Sequence, residues 1–375
     1  MIVDSRKLAW PFGGLRFALL SIVAIFVIWR IANSLGHFWF FPDSDALLGD
    51  LRDRYREFHF FSKGLDPKVQ DPLLGYPAWS YLMAGFWAWP ESFDRAKFLF
   101  LAIQGVAMAV VGYDLMGRLR LGLPAMILVA LASAPIYVLL DLLGLGNYGI
   151  IEAAFFYFSM VGRSPAVRGL ALVGSILKPQ TGLAVWIAAL GRRDWRVIGV
   201  SGGVVVLLLA IASKVLGQSS VGSFFMTMQG GFGGRLDHFY STGNYGCLSN
   251  AVQAGWIAPA IAVAICYLLL AVSLGLVFKY VFDPMARYVF AAALFPLFTY
   301  HRTHDLILIW PVLIILVVSS FRLDGWKGWF WIAPMAWSLT FHENQPVPVL
   351  LFFAMVLIWW HWLFRGSTAN SVATP

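Results

Sequence analysis

The sequence predicts an all-α polytopic membrane protein, and three observations lead to that prediction. Hydrophobic residues make up 60% of the 375 residues and charged residues only 12%, which is too few polar side chains to cover a soluble globule of this size. The apolar runs contain Gly and Pro and many have the length of a helix, whereas membrane β-strands alternate apolar and polar residues. Most Lys and Arg stand in short clusters beside apolar runs. This arrangement orients membrane helices, so the net charge of +8 does not indicate a nucleic-acid partner.

The first predicted span covers residues 15–35, and its flanks set the orientation of the chain. Arg6, Lys7 and Arg16 lie at its start, and they are expected to keep the N-terminus in the cytoplasm. No small-residue cleavage site follows, which predicts that this helix is retained. The chain then emerges into a first outer loop, residues 37–95.

A short aromatic helix is predicted near the end of that loop. Residues 78–89 number about a dozen, and a span needs roughly 20, so we expect this segment to lie along the membrane interface. Its aromatic side chains would then stand at headgroup level: Trp79, Tyr81, Phe86, Trp87 and Trp89.

Clusters of Arg and Lys mark the inner ends of the later spans. Residues 169–190 have a cluster at both ends, with Arg168 before them and Arg192 and Arg193 after them, so a single helix would leave one cluster on the wrong side. We therefore predict a break at Lys178-Pro179-Gln180, with the turn facing outward. The other predicted spans are 96–116, 123–140, 148–161, 197–214, 257–278, one on each side of residues 300–305, and the last pair 328–341 and 347–364.

These assignments predict a bundle of about twelve transmembrane helices in one integral domain, residues 1–365, with both termini cytoplasmic. A second outer loop, residues 217–250, is rich in Gly and aromatic side chains. Residues 366–375 are predicted to be a disordered cytoplasmic tail. We expect the protein in the cell (inner) membrane, with its outer loops on the periplasmic face.

The predicted outer connections bring together the polar residues that suggest chemistry. Acids, histidines and a lysine at one membrane face are more typical of a reaction centre than of an orientation signal. The set consists of Asp43, Asp45, Asp50, Tyr76, Lys178, Gln180, His301, Arg302, His304, Asp305, His342 and Glu343.

Transfer of a sugar from a polyprenyl phosphate fits this set of groups. An acceptor hydroxyl must lose its proton as it attacks the anomeric carbon, which calls for a carboxylate base; Asp43, Asp45 and Asp50 are the candidates. The departing phosphate gains negative charge, which cations and imidazoles stabilise, and Lys178 and the later outer residues are the candidates for that role. The donor is already on a lipid, so no nucleotide-binding fold is needed, and the sequence has no Gly-rich phosphate loop.

Several short motifs appear in an order that resembles a known superfamily. An acidic loop follows the first helix, then come Gly64-Leu65-Asp66-Pro67, Tyr76-Pro77, Lys178-Pro179-Gln180 and His301. In this order the chain resembles the GT-C superfamily of polyprenyl-phosphate-sugar-dependent glycosyltransferases, and within it glycosyltransferase family 87, the α-mannosyltransferase group. The resemblance implies a GT-C-like helical bundle, an inverting transfer of a mannose-like hexose or a pentose, and an Asp soon after the first helix as base.

Other interpretations of the same residues stay open. The acidic loop is also compatible with solvated side chains, or with Ser44 and Asp45 capping the next helix. A transporter or flippase of a lipid-linked anion would also use Lys178, His301 and Arg302, although such proteins commonly show paired halves. A polymerase or ligase of lipid-linked oligosaccharide would share the site. No metal-ligand spacing is present, so no cofactor is predicted, while a divalent metal is not excluded. The expected partners are the bilayer, the polyprenyl-phosphate sugar and a lipid-linked or glycan acceptor.

Overall fold

A computed structural model describes residues 13–40, 48–70, 78–175, 179–217, 254–298, 303–321, 325–340 and 346–369, together with residues 219, 222, 248, 252 and 323. Every regular element in these residues is helical. A π-helical turn, Gly36–Phe40, and two 3₁₀ segments, Thr303–Ile309 and Gly325–Trp329, accompany the α-helices. The α-helices are α1 (Gly14–Leu35), α2 (Gly49–Ser62), α3 (Pro67–Gln70), α4 (Ala78–Ala88), α5 (Phe93–Leu119), α6 (Leu123–Ala132), α7 (Ile136–Leu145), α8 (Gly149–Val161), α9 (Pro165–Ser175), α10 (Pro179–Gly191), α11 (Trp195–Leu216), α12 (Pro259–Tyr280), α13 (Pro284–Phe298), α14 (Trp310–Ser320), α15 (Ile332–Thr340) and α16 (Pro346–Ala369).

Three of these helices are long and apolar enough to cross a membrane by themselves: α1, α5 and α11. Helices α6 and α7 together would make a fourth if the pair is one span. Five further apolar helical segments have 10–17 residues, which at about 1.5 Å per residue is shorter than a hydrocarbon core of about 30 Å. The prediction of about twelve crossings is therefore not confirmed.

Most predicted helices are present within a few residues of their predicted bounds, but one predicted span is not a single helix. Residues 123–140 do not form a single straight helix, because α6 and α7 meet at a bend of 84°. Pro135 precedes α7, and a proline there cannot donate the hydrogen bond that would continue α6. At the other end of the chain α16 continues to Ala369, so the predicted tail from residue 366 begins inside a helix.

The predicted break near Lys178 is confirmed as a helix boundary, since α9 ends at Ser175 and α10 begins at Pro179. The two helices form a hairpin whose open ends meet. Arg168 Nη1, in α9, lies 2.8 Å from Asp194 Oδ2, just beyond α10. The basic clusters on either side of the hairpin therefore lie at the same end of the molecule, which is the arrangement that motivated the break.

Other arginines expected at inner loops gather at this same end. Arg16 at the start of α1 lies over the rings of Phe321 and Trp329, with its Cζ 5.5 Å from each ring centroid. Arg118 near the end of α5 donates from Nη2 to the carbonyl of Val161 over 2.8 Å. We call this the basic end of the bundle.

The centre of the bundle is made by its most uniformly apolar helices. Every side chain from 306 to 320 is buried, as are those from 288 to 297 in α13. A helix that is apolar all round is typical of the middle of a helical membrane protein. Helices α1, α5 and α11 instead expose apolar side chains such as Ile22, Val106 and Val206, which suits contact with lipid.

The short aromatic helix of the first loop exists as α4, but its side chains do not all lie at an interface. Phe86 and Trp89 are 73% and 65% exposed, whereas Tyr81 and Trp87 are buried inside the protein. The indole nitrogen of Trp87 donates to the Tyr148 hydroxyl over 3.0 Å. The prediction that all of these aromatics stand at headgroup level is therefore wrong for Tyr81 and Trp87, and the side chain of Trp79 lies outside the described residues.

Candidate functional site

The first loop is fixed to the bundle where α2 begins. Asp50 stands in the first turn of α2, and its Oδ2 accepts a hydrogen bond of 2.6 Å from the side-chain amide of Asn147. The backbone N–H of Leu48 donates to the carbonyl of Gly144 over 2.8 Å. A carboxylate in the first turn of a helix is also stabilised by the helix dipole. The start of α2 is thus fastened to the turn between α7 and α8.

Asn147 is itself held by a side chain of α5. Gln104 Nε2 donates to the Asn147 carbonyl over 2.6 Å, and Gln104 Oε1 accepts from the backbone N–H of Ile151 over 3.3 Å. Gln104 and Asn147 are only 4% and 3% exposed. Two buried amides therefore link α5 and α8 and orient the Asn147 side chain towards Asp50, since buried polar groups retain the geometry that satisfies them.

Gly146 allows the Asn147 turn to approach α2 this closely. Its φ is +68°, which favours glycine. A Cβ at this position would lie 2.6 Å from the Cβ of Leu51. Because no other residue lacks a Cβ, the close contact depends on glycine at position 146.

A wall of aromatic side chains lies beside the Asp50–Asn147 contact. The Trp39 and Phe100 rings are stacked, with centroids 6.5 Å apart, and Trp87 meets Phe100 edge-on at 5.0 Å. The indole nitrogen of Trp39 donates to the carbonyl of Leu143 over 3.1 Å. Tyr148 completes this wall and is 5% exposed. The wall fills the junction between α1, α4, α5 and the Asn147 turn, so these rings are part of the packed protein.

The buried face of α2 contains a charged pair that begins about one helical turn after Asp50. Arg54 and Glu57 contact one another through Nη1 and Oε2, and their side chains are only 10% and 1% exposed. Burial and the nearby Glu57 raise the pKa of Tyr81 well above its ordinary value. The pair lies within α2, three residues apart, on the face of α2 that is turned towards Tyr81 of α4.

Tyr55 ties the other side of α2 to the loop before α5. Its hydroxyl donates towards the carbonyls of Pro90 and Glu91, at 2.9 and 2.6 Å. Burial first and then the charge of Glu91 raise the pKa of Tyr55. The helix that contains Asp50 is therefore fixed along its length.

Several predicted site residues lie outside the described residues: Asp43, Asp45, Tyr76, Lys178, His301, Arg302, His342 and Glu343. Of three others only the backbone is described. Gln180 is in the first turn of α10, and His304 and Asp305 are in the 3₁₀ segment Thr303–Ile309. That segment packs against α7 and α8, so the structure brings it to the two helices that flank Asn147. The N-cap position of α2 is Leu48, and Ser44 and Asp45, the alternative capping residues, lie outside the described residues.

Asn147 and Gln104 were not among the predicted site residues. The signal for Gln104 is an amide inside an apolar span, and the signal for Asn147 is its place after Gly144 and Gly146 between two apolar runs. Glu152, which is 1% exposed, stands in the first turn of α8. Ionisable groups at such positions are costly and often functional.

Among the residues that the structure describes, no three His, Cys, Asp or Glu side chains are grouped so that they would hold a metal ion. The histidines of the predicted site lie outside that search or lack described side chains. The absence of a cofactor therefore stays a prediction.

Fold and site together define an α-helical membrane protein with a half-buried carboxylate held between a loop helix and the helical bundle. The sequence model of glycosyltransferase family 87 matches residues 75–299, more than half of the chain. The chain therefore belongs to glycosyltransferase family 87, as its motifs suggested, and is a membrane glycosyltransferase. No curated protein and no solved structure matches it.

The matched segment contains Gln104 and Asn147 but not Asp43, Asp45 or Asp50, which precede residue 75. The family assignment therefore does not by itself identify a base. For Asp50 the argument rests on its contact with Asn147.

Proposed function

We propose that this glycosyltransferase is an inverting enzyme that moves a sugar from a polyprenyl-phosphate donor to a hydroxyl of a lipid-linked or glycan acceptor, with Asp50 as general base. The observation behind the proposal is the Asp50–Asn147 hydrogen bond, which fixes a carboxylate at the junction of the first loop and the bundle. Family 87 supplies the reaction class. The resemblance noted in the sequence supplies the lipid-linked donor and the mannose-like hexose or pentose.

The hydrogen-bonding of Asp50 suits a base. Within the part of the chain that the structure describes, Asn147 is the hydrogen-bond partner of Oδ2, and Oδ1 has none. The amide fixes the orientation of the carboxylate and leaves Oδ1 to accept the proton of the acceptor hydroxyl. A base that is already oriented avoids part of the entropy cost of the transition state.

The proposed reaction is a single displacement. The acceptor oxygen forms a bond to the anomeric carbon as its proton passes to Oδ1 of Asp50. The bond between the anomeric carbon and the phosphate oxygen breaks, and the polyprenyl phosphate departs with the electron pair. Cations and imidazoles near that oxygen would stabilise the charge it gains. Lys178, His301, Arg302, His304 and His342 are the proposed groups, with Tyr76, Gln180, Asp305 and Glu343 as further contacts to the substrates.

The position of Asp50 along the bundle supports a lipid-linked donor. Gln104, which holds Asn147, and Arg118, at the basic end, are both on α5 and about 21 Å apart along its axis at 1.5 Å per residue. A hydrocarbon core is about 30 Å thick, so the contact would lie below the far membrane surface. We propose that this far surface is the outer, periplasmic face of the inner membrane. A donor held in the bilayer by its polyprenyl chain reaches such a depth more readily than a soluble nucleotide sugar.

The test is sugar transfer by purified full-length protein in nanodiscs, with radiolabelled polyprenyl-phosphate sugars as donors and membrane lipid extract as acceptor. Asp50→Asn is compared with Asp53→Asn, an aspartate of the same helix that pairs with Arg56 at the surface. Asp43→Asn and Asp45→Asn are assayed beside them. Loss of transfer in Asp50→Asn alone supports the proposed base, whereas full activity of that variant contradicts it. Transfer from nucleotide sugars only would contradict the proposed donor.

A further inference from the structure

Three arginines from separate helices converge at the basic end around one aromatic ring. Arg168 belongs to α9, Arg192 follows α10 directly and Arg287 stands in the first turn of α13. The Cζ atoms of Arg192 and Arg287 lie 5.4 and 5.6 Å from the centroid of the Phe278 ring. Arg168 lies on the same cavity as Arg192 and Phe278. We call these three residues the arginine cluster.

The described residues supply less negative charge than the cluster needs. Asp194 contacts Arg168 at 2.8 Å. Asp283 is the other nearby carboxylate, and its Oδ1 accepts from the backbone N–H of Ala286 at the start of α13. Arg287 uses its donors on the carbonyls of Val281 and Phe278. The cluster therefore keeps an excess of positive charge.

Two of the arginines have unused donors within the described part of the chain. The side chain of Arg192 makes no hydrogen bond or ion pair there, and its contact is the face of the Phe278 ring. Arg168 Nε is buried and has no acceptor there. Desolvation, then Arg287 and Arg168, lower the pKa of Arg192 against the opposing effect of Asp194. Buried donors without acceptors are unfavourable, and an anion at this position would satisfy them.

Membrane orientation does not explain the burial of these side chains. Arg163, Arg193 and Arg196 stand exposed at the same end, and exposed arginines orient a membrane protein without a desolvation cost. An arginine that is partly removed from water beside two others is costly unless it binds an anion. The cluster therefore has the features of an anion site.

The position and lining of the cavity indicate the type of anion. Helix α11, which is long and apolar enough to span, begins at Trp195, one residue after Asp194, so the cluster lies at the level of a membrane surface. Beside its charged groups the cavity is lined by Leu172, Val185, Ala188 and Val197, which are buried, so an anion would meet the arginines at the mouth of the cavity. A basic pocket between helices at a membrane surface suits a phosphate headgroup joined to acyl chains.

We propose that the arginine cluster binds the phosphate of an anionic phospholipid at the mouth of this cavity, with Arg192 and Arg168 donating to the phosphate oxygens. Arginine forks match phosphate geometry. The rise of α5 between Gln104 and Arg118 separates the basic end from the Asp50–Asn147 contact by about 21 Å along the bundle. The proposed lipid site therefore does not depend on the proposed reaction.

The test is native mass spectrometry of the full-length protein in detergent, titrated with phosphatidylglycerol, with phosphatidylcholine or with inorganic phosphate. Wild-type protein should retain phosphatidylglycerol at least tenfold more tightly than phosphatidylcholine and should not retain inorganic phosphate. Equal binding of the two lipids overturns the proposal. Saturable binding of inorganic phosphate alone would mean that the cluster is a site for a free anion, and that result also overturns it. This comparison needs no variant.

Variants then locate the site. Arg192→Gln should weaken phosphatidylglycerol binding about tenfold, because it removes a charged hydrogen-bond donor. Arg163→Gln removes the same charge from the exposed surface of the same end and should leave binding unchanged. If Arg192→Gln binds as wild type, or if both variants weaken binding equally, the cluster is not the site. Arg168→Gln replaces Arg192→Gln if the latter does not fold.

Discussion

The carboxylate of Asp50 accepts a hydrogen bond of 2.6 Å from the side-chain amide of Asn147, 97 residues later in the chain. This contact joins a helix of the first loop to the turn between two helices of the bundle. Asn147 is in turn bonded to Gln104, so three helices meet at one small polar network. Because its members are largely buried, each has a definite role that substitution can test.

The first prediction concerns the proposed base. Asp50→Asn should lower the transfer rate by about 10² to 10⁴, the usual contribution of a general base, while the protein keeps its thermal stability within a few degrees. An asparagine keeps the size of the side chain and can still accept from Asn147. The measurement is initial transfer rate together with a thermal unfolding curve. The surface variant Asp53→Asn should match wild type in both, and equal loss in the two variants would point to damage of α2 as a whole.

Asn147→Ala should show how much the orientation of the Asp50 carboxylate contributes to transfer, because the variant keeps the carboxylate and removes the amide that orients it. The variant leaves Asp50 without its amide partner, and loss of a hydrogen bond to a charged group costs about 1.5–3 kcal/mol. We expect a lower transfer rate at saturating donor and a lower unfolding temperature. Asn33→Ala, an exposed asparagine of α1, is the matched control. A rate equal to wild type in Asn147→Ala would mean that the amide does not position the base.

Gly146→Ala should destabilise the docking of α2 for two distinct reasons. A left-handed backbone costs an L-residue about 1–2 kcal/mol, and the added Cβ would stand 2.6 Å from Leu51 Cβ. Gly217→Ala provides the control, since Gly217 has φ +64° but no atom within 4 Å of its would-be Cβ. The drop in unfolding temperature should be clearly larger for Gly146→Ala. Equal drops would show that the close approach to Leu51 contributes nothing.

The buried pair of Arg54 and Glu57 should be more costly to break than to replace. Glu57→Met leaves the guanidinium of Arg54 buried without this carboxylate and should destabilise by about 3–5 kcal/mol. The double variant Arg54→Met/Glu57→Met removes both charges and should recover much of that loss. Thermal unfolding of the two variants provides the comparison.

The exposed pair of Asp53 and Arg56, 3.8 Å apart, is the reference for this experiment. Asp53→Ala should change stability by less than about 1 kcal/mol, as surface pairs do. A double variant as unstable as Glu57→Met would show that packing of the long side chains, and not charge, decides the stability of α2.

The sequence by itself determined the membrane class, the bounds of most helices and the break between α9 and α10. Apolar runs between polar clusters fix which residues leave water, and basic residues at both ends of residues 169–190 required a turn between them. The family motifs also indicated the reaction class correctly. These are local properties, and composition and spacing along the chain are enough to establish them.

Only the tertiary structure decided which polar and aromatic groups meet. Asp50, Gln104 and Asn147 are far apart in the sequence, and nothing local to any of them names the others. Tyr81 and Trp87 have the composition of an interfacial belt, yet they are buried because α4 packs on α2 and α5. Contacts between distant segments depend on how helices pack together, and the apolar pattern of one helix does not specify its neighbour.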